Sequence, residues 1–243
     1  MDREGRQHGA GKTVVVTGAS TGVGRAMAKS LVVDHGCRVV AVARSAEKLA
    51  ALAEELNGAS GHLQPLPVDL AAEDAVERVA QAVEGSRVHG LVNNAGLLIK
   101  QDFGAWSAID THRLFHLNAA VPLLLTQALA RQLGGEPPGH VLNIGSMGGF
   151  QGSVKFPGLA AYSASKAALA NLTECMAEEL KDAGVRCNCV CLGAVDTAML
   201  RTAFPGYTAP LGPVEVGAYL ARFVLDGHKF FNGKVLPFAV STP

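Results

Sequence analysis

Short apolar, β-branched runs recur along this chain, separated by longer Ala- and Leu-rich stretches with helical spacing. The runs are Thr13 to Thr17 (TVVVT), Arg38 to Ala43 (RVVAVA), Val88 to Val92, His140 to Ile144 and Val185 to Cys191, and a further strand is expected to end near Pro67. Each is nearly continuous rather than alternating, the pattern of a strand covered on both faces of a parallel sheet. Helical patterns lie between them, at about 22–35, 46–56, 71–83, 106–132, 161–182 and 214–225. Gly36 and Gly58 stand just beyond the first two, and Ser45 is placed to N-cap the second. Parallel neighbours need a crossover, and helices supply it. The expected fold is therefore α/β, a doubly wound sheet with right-handed connections.

The chain has 243 residues, of which 49% are hydrophobic and 17% charged, enough apolar material for one large core and too little charge for general disorder. It shows no internal repeat, and Gly134 to Gly139 (GGEPPG) reads as a loop rather than a linker. The organisation read here is a flexible N-terminal tail over 1–11 and a single domain over 12–243. Twenty-one basic residues balance 21 acidic ones, so no basic excess points to nucleic acid. No apolar run reaches the ~18 residues of a membrane span, and the polar start is not a secretory leader. Five cysteines without such a leader read as reduced thiols, so a cytoplasmic location is expected. Cys187, Cys189 and Cys191 would share one strand face at about 6.6 Å per step, which suits apolar fillers better than a shared zinc ion. His112 and His116 have a metal-compatible spacing but no evident third ligand, and no metal is expected.

Thr17 to Gly24 reads TGASTGVG, directly after the first strand and opening the first helix. Gly18, Gly22 and Gly24 allow a tight turn and close backbone approach, and the helix start offers free N–H groups and a positive dipole end to a pyrophosphate. Glycines in a plain turn are the alternative. The second strand ends at Ala43-Arg44, where an NAD site usually presents a carboxylate to the ribose 2′-hydroxyl. A guanidinium there pairs with a 2′-phosphate, which favours NADP(H) while leaving NAD(H) possible. Ser20, Thr21 and Ser45 are additional donors. Asp69 either accepts from an adenine amino group or caps the helix after it.

A second set of residues gathers near the other half of the sheet. Tyr162 and Lys166 are four positions apart, on one face of a helix, where an ammonium favours the phenolate and tunes it for proton transfer near neutral pH. An exposed helix pair is the plain alternative. Ser146 follows a strand at its C-terminal end, where open α/β sheets bind ligands, and can hold a carbonyl oxygen or simply make a turn. Asn118 is an unfavourable mid-helix residue among apolar neighbours. Asn93-Asn94-Ala95-Gly96 follows the fourth strand and can line a cofactor or brace the sheet.

Taken in order, TGASTGVG, Asp69, Asn93-Asn94-Ala95-Gly96, Asn118, Ser146 and Tyr162-x-x-x-Lys166 resemble the short-chain dehydrogenase/reductase (SDR) family over about 12–197. The resemblance implies a Rossmann-type sheet of about seven strands. It implies an NADP-dependent carbonyl reductase or alcohol dehydrogenase that moves hydride between nicotinamide C4 and a ketone or secondary alcohol. Tyr162 would be the general acid/base. Lys166 would lower its pKa and bind the nicotinamide ribose, Ser146 would polarise the carbonyl, and Asn118 would hold a water linking Lys166 to solvent. Gly18, Ser20, Val23, Asp69, Leu70, Asn94, Ala95, Gly96, Gly193, Val195 and Thr197 would contact the cofactor. Leu192 replaces the family's proline before Gly193, so a looser turn is expected. Val154 to Gly158 reads as an insertion flanking the substrate, and 197–213 as a short substrate loop leaving an open or shallow pocket. Leu97, Leu98, Met147, Phe150, Phe156, Leu192 and Met199 are expected to line it. The family implies a homodimer or homotetramer through the Tyr-bearing helix and its long neighbour, with Ala167, Ala168 and Ala170 permitting close approach. Two other classes share the fold: a non-catalytic dinucleotide sensor or scaffold, and an epimerase or dehydratase, which usually carries a longer C-terminal substrate domain than the 46 residues after Thr197 would be expected to form.

Overall fold

The computed structural model describes residues 9–240. Its centre is a seven-stranded parallel sheet: β1 (Thr13–Thr17), β2 (Arg38–Ala43), β3 (His62–Pro67), β4 (Gly90–Asn93), β5 (Gly139–Ser146), β6 (Val185–Leu192) and β7 (Lys234–Phe238), in the order β3-β2-β1-β4-β5-β6-β7. The order reverses between β1 and β4, which opens a crevice at the C-terminal ends of the strands, the usual ligand position in such sheets. Both edge strands carry proline, Pro65 and Pro67 on β3 and Pro237 on β7. Proline cannot donate to a ladder, so these edges resist pairing with another chain.

Among the described residues eight α-helices accompany the sheet: α1 (Gly22–Val33), α2 (Ala46–Glu55), α3 (Ala75–Ala82), α4 (Ala108–Phe115), α5 (Val121–Leu133), α6 (Ala160–Glu179), α7 (Ala198–Ala203) and α8 (Pro213–Asp226). One apolar cluster joins α1, α2 and α8 to one face of the sheet; Met27, Leu31, Leu49, Leu52 and Leu220 are fully buried in it. The other joins α3, α5 and α6 to the opposite face, with Leu125, Leu129 and Leu133 aligned every fourth residue along α5. Helices α1 and α8 touch closely because Gly217 has no side chain; a Cβ there would lie 2.7 Å from the Ala26 methyl group.

The alternation of strand and helix is as the sequence predicts, and the differences are local. The long helix expected over 106–132 is interrupted: α4 passes through a π turn, His116–Ala120, into α5, with the Val121 N–H bonded to the His116 carbonyl. Pro122 explains this, since it has no N–H for the Asn118 carbonyl four residues back and its ring crowds that turn. Helix α3 starts later than expected because Asp69 turns the chain on itself, its Oδ1 accepting from Ala71 N–H at 3.0 Å. Helix α6 stops early, before a 3₁₀ turn (Lys181–Ala183) closed by Gly184 at φ +71°. The short helix α7 has no counterpart in the expected pattern. Of the tail expected over 1–11, residues 1–8 lie outside the described residues, whereas 9–11 form a turn packed on Cys37 and closed by Lys12 N–H to Gly9 O at 2.9 Å.

Candidate functional site

The C-terminal ends of β1, β2, β4, β5 and β6 meet in one cleft of about 1570 Å³. Its first wall is the loop from β1 into α1. Gly18 and Gly22 sit in left-handed backbone, at φ +66° and +56°, which a side chain would disfavour. Thr17 Oγ1 donates to Val92 O at 3.2 Å and accepts from the Asn94 and Ala95 N–H groups, each at 3.0 Å. Asn94 Nδ2 donates back to Thr17 O at 2.9 Å. These bonds tie the glycine loop to the loop after β4 and hold both backbones at the cleft.

Thr21 starts α1 without a side-chain cap, so the first amides of that helix face the cleft with no side-chain partner. Thr21, Gly22, Val23, Arg44, Asp69, Leu70, Ala95 and Gly96 continue the wall. Arg44 makes no salt bridge or hydrogen bond among the described residues, which leaves its guanidinium available to an anion. Uncapped amides, a close-approach glycine loop and an uncommitted cation at the end of β2 together fit a dinucleotide carrying a 2′-phosphate.

Three of the proposed cofactor contacts lie back from the cleft wall. Ser20 is half-buried in the loop and does not line the cleft, and Ser45 caps α2, accepting from Lys48 N–H at 3.3 Å. Gly24 lets α1 pack on the loop, since a Cβ there would collide with the Gly18 carbonyl and the Asn94 amide. Asn93 braces the sheet: its Nδ2 donates to Asn143 Oδ1 at 2.8 Å, and Asn143 Nδ2 donates to Thr173 Oγ1 at 2.8 Å.

The second wall carries the reactive groups. Ser146 ends β5, where its hydroxyl accepts from Gly148 N–H at 3.2 Å. Tyr162 and Lys166 lie one turn apart on the buried face of α6, and all three line the cleft. Burial pushes the Tyr162 phenol above its ordinary pKa of 10.0, while a hydrogen bond with Ser146 pulls it down. Burial also pushes the Lys166 ammonium down to about 8, and its Nζ donates to Ile144 O at 2.8 Å.

Asn118 is fully buried in the π turn and does not reach the cleft surface. Its amide is fully engaged: Oδ1 accepts from Leu97 N–H at 2.8 Å, and Nδ2 donates to Leu97 O at 2.9 Å and Ser165 Oγ at 3.0 Å.

Leu98, Met147, Phe156, Leu192 and Met199 all line the cleft beside these groups, with Leu97 among them, and Phe150 packs behind Met147. Leu192 O accepts from Met147 N–H at 2.9 Å, and the next residue, Gly193, donates to Phe238 O at 2.9 Å, so the segment where the family has proline is held by β7. Val195 bridges to Leu211, and Thr197 caps α7 while its methyl lies over Gly22. Leu159, Phe204 and Tyr207 also line it and escaped the sequence reading. They lie in loops and turns with no periodic signal, and only the fold brings them together.

The short chain dehydrogenase family profile matches residues 12–208. Carbonyl reductase [NADPH] 2 of Sus scrofa is 38% identical over 193 residues, 79% of this chain and 75% of that protein. The rhamnolipids biosynthesis 3-oxoacyl-[acyl-carrier-protein] reductase of Pseudomonas aeruginosa is 34% identical over 246 aligned positions, 94% of each chain. Among solved structures, the Pseudomonas aeruginosa RhlG/NADP active-site complex superposes with a TM-score of 0.83 at 29% identity, covering 96% of this chain and 97% of that one.

Proposed function

This chain belongs to the short chain dehydrogenase family, and from that premise we propose that it is an NADP(H)-dependent oxidoreductase interconverting a ketone and a secondary alcohol. The observation that carries the reading is the placement of Ser146, Tyr162 and Lys166 in the same cleft as the glycine loop and Arg44. The bound cofactor supplies or accepts hydride at the nicotinamide C4. Everything else falls to the chain. Ser146 Oγ holds and polarises the carbonyl oxygen. Tyr162 Oη gives that oxygen its proton in reduction and takes it back in oxidation. Lys166 binds the nicotinamide ribose and supports the phenolate when it forms.

The Asn118 side chain serves as a brace for Leu97 and Ser165. A water relaying protons to Lys166 would sit on the Asn118 carbonyl, which Pro122 leaves without a helical partner. Arg44 takes the 2′-phosphate, as the NADPH-named relative supports. The raised Tyr162 pKa keeps the phenol protonated at neutral pH and so favours reduction there. Reduction should weaken as pH rises and oxidation should strengthen.

The chain acts on a small molecule in the cytoplasm, in this reading, and residues 12–243 work as one unit. Ile109, Phe115 and Leu124 are exposed apolar side chains on α4 and α5, and their exposure supports pairing with a second copy through these helices. No helix among the described residues is long and apolar enough to cross a membrane.

The test is Tyr162→Phe. Turnover with NADPH should fall at least about 1000-fold while NADPH affinity stays within a few fold. Retained turnover would remove Tyr162 as the acid. Fluorescence titration should show NADPH binding far more tightly than NADH, with Arg44→Asp narrowing the gap; equal affinities would refute the 2′-phosphate assignment.

A further inference from the structure

Resting on the hydride-transfer reading above, we propose that the substrate is a neutral ketone on an apolar body, taken free from solution, rather than a polyhydroxylated ketose or an acyl group presented on a phosphorylated carrier arm. The first ground is the wall around Ser146 and Tyr162. Leu98 comes from the loop after β4, Met147 from the end of β5, Phe156 from 154–158, Leu192 from the end of β6, Met199 from α7 and Phe204 from the turn after it. Separate segments thus converge with apolar side chains on the reacting groups. Behind them, Leu114 and Leu159 pack on Tyr162 in the same cluster. A ketose bound here would bring several hydroxyls against hydrocarbon. Each hydroxyl left without a partner lowers kcat/KM by about tenfold to a hundredfold.

The second ground is where the charges lie. His112, Arg113 and His116 line the wider cleft and are all exposed. Leu114 faces Tyr162, and positions two residues to either side of it are about 200° round the helix. His112 and His116 therefore project away from the reacting groups, and Arg113 bonds Asp110 at 3.4 Å.

The cations on the segments that carry this wall also bond within the chain. Lys100 Nζ donates to Ala203 O at 3.2 Å and lies 4.2 Å from the centre of the Phe204 ring. Lys155 Nζ donates to Phe150 O at 2.7 Å and Ser153 Oγ at 3.1 Å, and Arg201 bonds Asp196 at 2.5 Å. A phosphorylated arm needs uncommitted cations along its path, and these three already bond within the chain. Lys100 in particular joins the loop after β4 to the end of α7, with its stem against Gly158, so it keeps the apolar segments in place.

The experiment measures kcat/KM of the full chain with saturating NADPH on three probes: propiophenone, D-fructose and acetoacetyl-coenzyme A. Propiophenone should exceed each of the others by at least about tenfold. A ratio below ten, or the reverse order, overturns the proposal while leaving hydride transfer standing. No turnover on any probe by protein that binds NADPH tightly overturns both readings. Phe156→Ala provides a second measure. It should raise the propiophenone KM about tenfold and leave the NADPH dissociation constant within twofold; an unchanged KM would remove Phe156 from the substrate wall.

Discussion

Gly145 shows how narrowly single residues are specified at the site. A Cβ there would lie 2.7 Å from Cys189 Sγ and 2.8 Å from Cys191 Sγ, and those two sulfurs are themselves 3.9 Å apart. The alternating cysteines of β6 are thus small fillers beneath the strand that presents Ser146, all three fully buried. Gly145→Ala should cost about 1–3 kcal/mol, read from the urea midpoint, and should slow turnover because Ser146 is the next residue. Adding Cys191→Ala should recover part of the loss, because it removes one of the clashing sulfurs. An alanine variant as stable as the parent would refute the close packing. This constraint was invisible in the sequence, where Gly145 is one glycine among 28. Arg44, by contrast, was legible, because a cation at the end of β2 needs only the strand's end to be located.

At the scale of elements, the junction of α4 and α5 is the most informative. Pro122 was visible in the sequence, yet the expected pattern ran one helix through it. The outcome is a π turn that buries Asn118 and directs its amide to Leu97 and Ser165. Asn118→Leu would leave the Leu97 N–H and C=O without their partner in a half-buried setting. A loss of about 2 kcal/mol or more is expected, with NADPH-dependent turnover falling as the loop after β4 loosens. Unchanged stability would mean the amide bonds contribute nothing. Helix α7 escaped notice for a different reason. Six residues carry too little periodicity to register, and its position depends on Lys100 and on the Thr197 cap, at 3.3 Å from Leu200 N–H.

Across the whole molecule, the end of the sheet remote from the cleft holds a titratable group. His140 is completely buried on β5. Its Nδ1–H donates to Val224 O at 3.0 Å, and its Nε2 accepts from Asn188 Nδ2 at 3.0 Å. Asn188 also bonds Phe231 O and Lys234 N–H, so the ring links α8, β6 and the start of β7. Burial pushes its pKa from 6.5 down to about 4. The unfolded chain therefore binds this proton below about pH 6.5 and the folded chain only near pH 4. Stability should fall as pH drops through that interval, by about 3 kcal/mol from this residue. His140→Gln should be weaker at pH 7 and lose much of that slope in urea melts. An unchanged slope would assign the acid sensitivity elsewhere.

Strand–helix alternation, the glycine loop and the order of Ser146, Tyr162 and Lys166 were all present in local pattern, because period, β-branching and turn residues act over a few positions. The sheet order, the tie between the glycine loop and the loop after β4, and the reach of Lys100 to the end of α7 were not. Each depends on contacts between segments tens of residues apart, as when Lys100 reaches Ala203 or Thr17 meets Asn94. Local propensity carries no information about such partners. Only closing the chain around its core decides which side chains face one another, and that decision gives the cleft its specificity.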